Sequence, residues 1–232
     1  MKDDNHDGLD FSTVLASTVH DMKNSLALLM QSWTQWVERL PPELAESGER
    51  GVIEYESLRL NGMLMQMLGL YKLQLNALPL RPDWVEVDDL LQAQLARHSE
   101  ILRARQITGS YSLDDPDLLH FMDEELVGSV IANVINNSIR YTRSAIHLHA
   151  AVTEEDQLLI AISDDGQGYP TDMLGRYSTG TRHADITQGS TGLGLYFGQC
   201  IARLHQRDGR HGYIELSNGG RLGGGEFRLY LP

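Results

Sequence analysis

Ile162–Pro170 reads ISDDGQGYP. The apolar run QLLIAIS, beginning at Gln157, leads straight into it, and an apolar run closed by glycine and proline reads as a buried strand. That strand carries Asp164 to its own end. A carboxylate buried there accepts a hydrogen bond from an exocyclic amine such as that of adenine, and Gly166 and Gly168 let backbone approach a flat ring. A tight turn after a strand uses the same residue types, so the stretch is decided by its neighbours.

Upstream, AIHLHAAV alternates like a strand that pairs with QLLIAIS, and Asp123–Tyr141 reads as a helix with Asp123 and Glu124 at its positive end. This helix contains NVINNSIRYT, in which Asn133 and Asn137 stand four residues apart on one face. Amide oxygens are hard neutral donors, suited to a Mg²⁺ that keeps waters and phosphate oxygens, and Arg140 follows one turn later within reach of a phosphate. Capping or a polar outer face would use these asparagines equally well. Val87–Arg105 reads as a helix and Gln106–Leu113 as a strand. Downstream, GSTGLGLYFGQCIARLH places Gly189, Gly192 and Gly194 at the start of a helix from about Leu193 to His205, where free amides and the helix dipole favour a phosphate. YIELSN and GEFRLYLP close the chain as strands. Together these elements make an α/β domain with helices on one face of a mixed sheet.

Before Pro79 the pattern is different. Phe11, Leu15, Val19, Met22, Leu26, Leu29, Trp33, Trp36 and Leu40 fall at alternating steps of three and four, the spacing of a packed helical seam. Pro41 and Pro42 stop that helix, and a second runs from about Arg50 to Asn76 with Ile53, Leu60, Leu64, Met67 and Tyr71 on one face. An antiparallel hairpin buries only one side of each helix. Pairing with a second hairpin into a four-helix bundle, hence a homodimer, is expected. NALPLRPDW breaks the helical period, so the fold class expected is α plus α/β, with a helical hairpin over 1–78 and an α/β domain over 79–232.

The 232 residues are 41% hydrophobic and 22% charged, an ordinary globular balance. A net charge of -13 argues against a nucleic-acid partner, whose phosphates call for lysine and arginine clusters. The single cysteine, Cys200, excludes an internal disulfide framework, fits a reducing compartment and reads as a small buried hydrophobe. The start, MKDDNHDGLD, lacks signal-peptide character, and no apolar run reaches the roughly 18 residues of a membrane span. A soluble, cytoplasmic protein without membrane insertion is expected.

In this order, the asparagine helix, the ISDDGQGYP turn, the glycine loop and the closing GGGEFRLYLP resemble the ATP-binding domain shared by sensor histidine kinases and the gyrase, Hsp90 and MutL ATPases. The resemblance covers Pro79–Pro232 and implies a two-layer α/β sandwich of the Bergerat type, with ATP and Mg²⁺ as cofactors. It implies that Asn137, with Asn133, holds Mg²⁺, that Asp164 binds the adenine amine, and that Arg140, Tyr141, Gly166 and Gly168 border the nucleotide. Gly189, Ser190, Thr191, Gly192, Leu193, Gly194 and Leu195 would line the triphosphate, and Tyr169–Gln188 would be a mobile lid. Hydrolases and serine-kinase members carry a glutamate base four residues before the metal asparagine. Here that residue is Asn133, which takes no proton, so the resemblance points to ATP held for a nucleophile supplied elsewhere.

HDMKNSL, His20–Leu26, resembles the phospho-acceptor box of histidine kinases. A neutral imidazole attacks a γ-phosphate, and the adjacent Asp21 fixes its tautomer and accepts its other proton. Asn24, one turn beyond His20, faces the same way and would orient water against a phosphorylated partner. The resemblance therefore implies a histidine kinase of a two-component system that labels His20 and passes the group to an aspartate on a response-regulator receiver domain, with phosphatase activity besides. A non-catalytic phosphotransferase or scaffold with a decayed ATP domain is the alternative. Only about ten residues precede the first helix, so a separate sensor protein supplies the signal or the chain is cut from a longer one. Four positions depart from the family pattern: Ser25 replaces a proline, Leu174 and Tyr177 replace a phenylalanine pair, and Gly225 replaces a threonine near adenine.

Overall fold

The computed structural model describes residues 11–37, 39, 48–75, 77–177 and 192–232. Two helices of 27 residues each, α1 (Phe11–Val37) and α2 (Gly48–Gln74), pack against one another. They are followed by β1 (Asp83–Glu86), α3 (Val87–Ala104), β2 (Thr108–Leu113), β3 (Leu119–Met122), α4 (Glu124–Tyr141), β4 (Ala145–Val152) and β5 (Leu158–Asp164). Then come α5 (Thr171–Arg176), α6 (Gly192–Leu204), the two-residue strands β6 (Gln206–Arg207) and β7 (Arg210–His211), β8 (Tyr213–Asn218) and β9 (Gly225–Leu231).

The main sheet has five strands in the order β2-β4-β5-β9-β8; β2 and β4 run parallel and the other neighbours antiparallel. Its register explains its two faces. Leu148 pairs with Ile162, Ile162 with Phe227, and Phe227 with Leu216, so one row of apolar side chains crosses the sheet. These residues are buried together with Val127, Val130, Ile131, Val134 and Ile135 of α4 and Ile201 of α6. The alternate positions form a polar outer face: Ser163 donates to Glu226 at 2.9 Å, Glu226 pairs with Arg228, and Tyr213 stacks on Tyr230 at 4.4 Å. Helices thus cover one face of a mixed sheet, the two-layer α/β arrangement that the sequence predicts.

Asp123 fixes the start of α4. Its carboxylate accepts from the N–H of Leu126 at 3.0 Å as an N-cap and from the N–H of Arg81 at 2.8 Å, which ties the segment after α2 to the domain. Several expectations need correction. The strand expected from Gln106 begins at Thr108, because Gln106 has φ 57 and turns the chain out of α3. β1 and β3 pair antiparallel in a segment read without strands; they are four residues each, and their aromatic residues Trp84 and Phe121 stay largely exposed while contacting each other at 5.6 Å. Cys200 is half-buried rather than enclosed.

On α2 the buried residues are Tyr55, Ser57, Gln66 and Gly69, whereas Ile53, Leu60 and Met67 of the expected seam are exposed. The buried side is turned to the α/β half. Among the described residues no helix is long and apolar enough to cross a membrane.

Candidate nucleotide site

β5 ends on Asp164, which is 6% exposed. Its Oδ1 accepts the N–H of Gly166 at 2.8 Å and of Gly225 at 3.2 Å, and Ser138 of α4 hydrogen-bonds the same carboxyl. Burial raises its pKa, and the amide and hydroxyl donors hold the rise back. Such a carboxylate is short of solvent and ready for one more donor. Asp165 has a different task. Its oxygens accept from the hydroxyls and amides of Thr142, Arg143 and Ser144, clamping the turn between α4 and β4. Burial alone would raise its pKa, but these donors from Ser144, Thr142 and Arg143 drive it well below the ordinary carboxylate range.

Gly168 takes φ +80, open to glycine at little cost, and hands the chain to Tyr169. Asn218 of β8 grips Tyr169 from both sides: the Tyr169 N–H donates to Asn218 Oδ1 at 2.7 Å, and Asn218 Nδ2 donates to the Tyr169 carbonyl at 2.9 Å. The stretch read as a mobile lid from Tyr169 therefore begins with an anchored, half-buried residue and the helix α5, on which Leu174 packs against the core; Tyr177, just after it, is buried. The remainder, 178–188, lies outside the described residues, as do Gly189, Ser190 and Thr191.

Asn133, Asn137 and Arg140 line a cleft of about 840 Å³ between α2, α4 and α6, together with Leu193, Gly194 and Lys23. Gly194, in the first turn of α6, backs directly onto the Asn133 amide, where a Cβ would collide. Leu195 is buried in the core, and the Arg140 guanidinium lies 5.6 Å from the ring centroid of the exposed Tyr141. Asp164 does not line this cleft. The last turn of α4 joins the two clusters, with Asn137 facing one and Ser138 the other.

Two contacts from α2 were not legible in the sequence. Gln66 Nε2 donates to Asn133 Oδ1 at 2.7 Å, and the Tyr55 hydroxyl donates to the Asn136 carbonyl at 3.0 Å, with the Arg105 guanidinium 5.3 Å from the Tyr55 ring centroid. The side chain of Asn137, open to the cleft, fits a hard-cation role as it stands. Asn133 is a different case: its oxygen is taken by Gln66 and its Nδ2 is buried without a hydrogen-bond partner among the described residues. To ligate a metal it would use the second lone pair of that oxygen or give up Gln66. His20, Asp21 and Asn24 lie on α1; Asp21 and Asn24 are exposed, and the His20 side chain is outside the described residues.

Comparison with known proteins follows the same residues. Residues 122–232 match the family described as histidine kinase-, DNA gyrase B-, and HSP90-like ATPase. The chain is 24% identical over 189 residues to the alginate biosynthesis sensor protein KinB of Pseudomonas aeruginosa, covering 80% of this chain and 32% of that protein. It is 24% identical over 234 residues to the sensor histidine kinase TmoS of Ectopseudomonas mendocina, covering 95% of this chain and 23% of that protein. The chain thus spans a third or less of these relatives. Among solved structures, full-length ShkA in complex with AMPPNP superposes with a TM-score of 0.65 at 19% identity, over 95% of this chain and 46% of ShkA, which establishes likeness of fold. Residues 122–232 thus carry the similarity to this ATPase family, and the relatives matched along the chain include proteins named as sensor histidine kinases.

Proposed function

We propose that this chain is an ATP-dependent protein-histidine kinase, with residues 1–78 as the dimerising phospho-acceptor unit and 79–232 as the nucleotide-binding unit. The supporting observation is the cleft itself: Lys23, three residues after His20, lines it together with Asn137 and Arg140. ATP with Mg²⁺ supplies the transferable phosphoryl group. Asn137 provides a neutral oxygen for the metal, Arg140 and Lys23 offset phosphate charge, and Asp164 accepts from the amine of the base. His20 takes the phosphoryl group on a ring nitrogen, and Asp21 holds its tautomer. The group then passes to a carboxylate of a response-regulator receiver domain, and Asn24 orients water for its later removal. The chain works as a cytoplasmic homodimer, under a sensor module that is part of a longer chain or a separate protein.

The test follows radiolabel from ATP. His20→Ala abolishes an acid-labile phosphoprotein while leaving nucleotide binding unchanged, and Asp164→Ala abolishes binding itself. Label surviving in His20→Ala removes the acceptor assignment. Asn24→Ala keeps labelling and transfer but slows the decay of the phosphorylated regulator about tenfold or more, as loss of a positioning group does.

A further inference from the structure

Gly225 opens β9 beside Asp164, and it carries no side chain. A Cβ there would lie 3.0 Å from Cε2 and 3.3 Å from Cδ2 of Tyr169, and 3.2 Å from Oδ2 of Asp164. The Tyr169 ring therefore occupies the space that a side chain at 225 would need, next to the carboxylate that reads the base. The ring is held there by its backbone, through the two Asn218 hydrogen bonds and the left-handed turn at Gly168. Burial, and then the charge of Asp164, push the phenol pKa up, so the hydroxyl keeps its proton.

One carboxylate alone recognises only an amine. The edge of adenine presents an amine next to a bare ring nitrogen, so it is matched by an acceptor beside a donor. The edge of guanine presents a carbonyl next to an N–H and meets that pair in the wrong order. A site built to bond one pattern leaves its polar groups unpaired with the other. We propose that Tyr169 is a specificity-determining residue of the base site: its ring, seated over Gly225, forms a wall of the pocket, and its hydroxyl donates beside the Asp164 carboxylate to the bare ring nitrogen of a purine with an amine at its 6-position. This rests on the reading of Asp164 as the base-binding acid.

The experiment measures equilibrium binding of Mg-ATP and Mg-GTP to the full chain by calorimetry, with melting temperatures to confirm folding. Tyr169→Phe, which keeps the ring, weakens Mg-ATP about fivefold, the loss of one net hydrogen bond, and leaves Mg-GTP unchanged. Gly225→Thr weakens Mg-ATP in the presence of Tyr169 but not in the Tyr169→Ile background, where the space is free. Unchanged selectivity in Tyr169→Phe, or an equal effect of Gly225→Thr in both backgrounds, overturns the proposal. Asp164→Ala separates the two levels: if it loses Mg-ATP while Tyr169→Phe matches wild type, the base site stands and Tyr169 is not its reader. If Asp164→Ala binds Mg-ATP normally, both fall.

Discussion

The helical pair and the α/β half both carry periodic apolar residues, and they bury them to opposite extents. In the α/β half Ile131, Ile146, Ile160, Phe227 and Leu229 are each 0% exposed. In the helical pair Leu28, Leu29 and Trp36 are 64%, 57% and 53% exposed. A sheet covered by helices closes its own core. Two helices do not, and α2 shows the consequence: one side is docked on the α/β half through Tyr55, Gln66 and Gly69, and another is left open. Periodicity in a sequence identifies a face that wants covering; it does not say what covers it. Open apolar residues on this scale fit the second hairpin of a dimer.

The largest effect expected from this contrast is Phe227→Ala, which removes a fully buried ring at the centre of the sheet and costs the α/β half about 3–5 kcal/mol. Leu29→Ala leaves chemical denaturation of the α/β half unchanged and instead raises the concentration at which the chain dissociates in sedimentation. If Leu29→Ala lowers the stability of the α/β half at fixed oligomeric state, the two regions are not independent in the way their burial indicates.

A smaller effect sharpens the contrast through pH. The Asp123 N–H donates to His205 Nε2 at 3.0 Å, while His205 Nδ1 lies 2.9 Å from the Ile201 carbonyl. With Nε2 accepting, the buried ring must be neutral. Burial lowers the pKa of His205, and of His98, below the ordinary value. The unfolded chain binds the proton first, so the stabilisation is fully present above about pH 6.5 and is lost as pH falls below it, with a slope of at most about 1.4 kcal/mol per pH unit for each histidine. Denaturation of the α/β half at a series of pH values shows this decline, and His205→Gln makes it shallower at the expense of stability near neutrality. An unchanged slope in that variant would remove His205 as its source.

What the sequence revealed was local. Asp164, the two asparagines and the glycines announce themselves by spacing within one element, and β4, β5, β8 and β9 by alternation with a turn at each end. What it concealed was distant or brief. Gln66 meets Asn133 across 67 residues, Tyr55 meets Asn136 across 81, and Asn218 grips Tyr169 across 49. A glutamine or tyrosine inside an amphipathic helix looks like any solvated position. Tyr169 looks like part of a lid in the sequence because its anchor arrives only with β8. β1 and β3 escaped because four-residue strands with exposed Trp84 and Phe121 give too short an alternation to separate from loop.

The smallest effect concerns the seam where the two regions meet. Gln66 is 6% exposed and spends its amide on Asn133, whose own Nδ2 is buried with no partner among the described residues. Gln66→Ala leaves both ends of the Asn133 amide unpaired so long as the helical pair stays docked, at about 1–3 kcal/mol for buried polar groups. Release of α2 from α4 relieves that cost by admitting water, and it frees the Asn133 oxygen for the cleft. The expected outcome is faster amide exchange around Asn136 and the Tyr55 contact, together with Mg-ATP affinity raised about fivefold, the equivalent of one net hydrogen bond. Gln66→Glu gives the control, because it removes the amide donor while keeping size and an acceptor. If Gln66→Ala speeds exchange at the seam but leaves Mg-ATP affinity at the wild-type value, the contact is mechanical only, and Asn133 has no part in holding the metal.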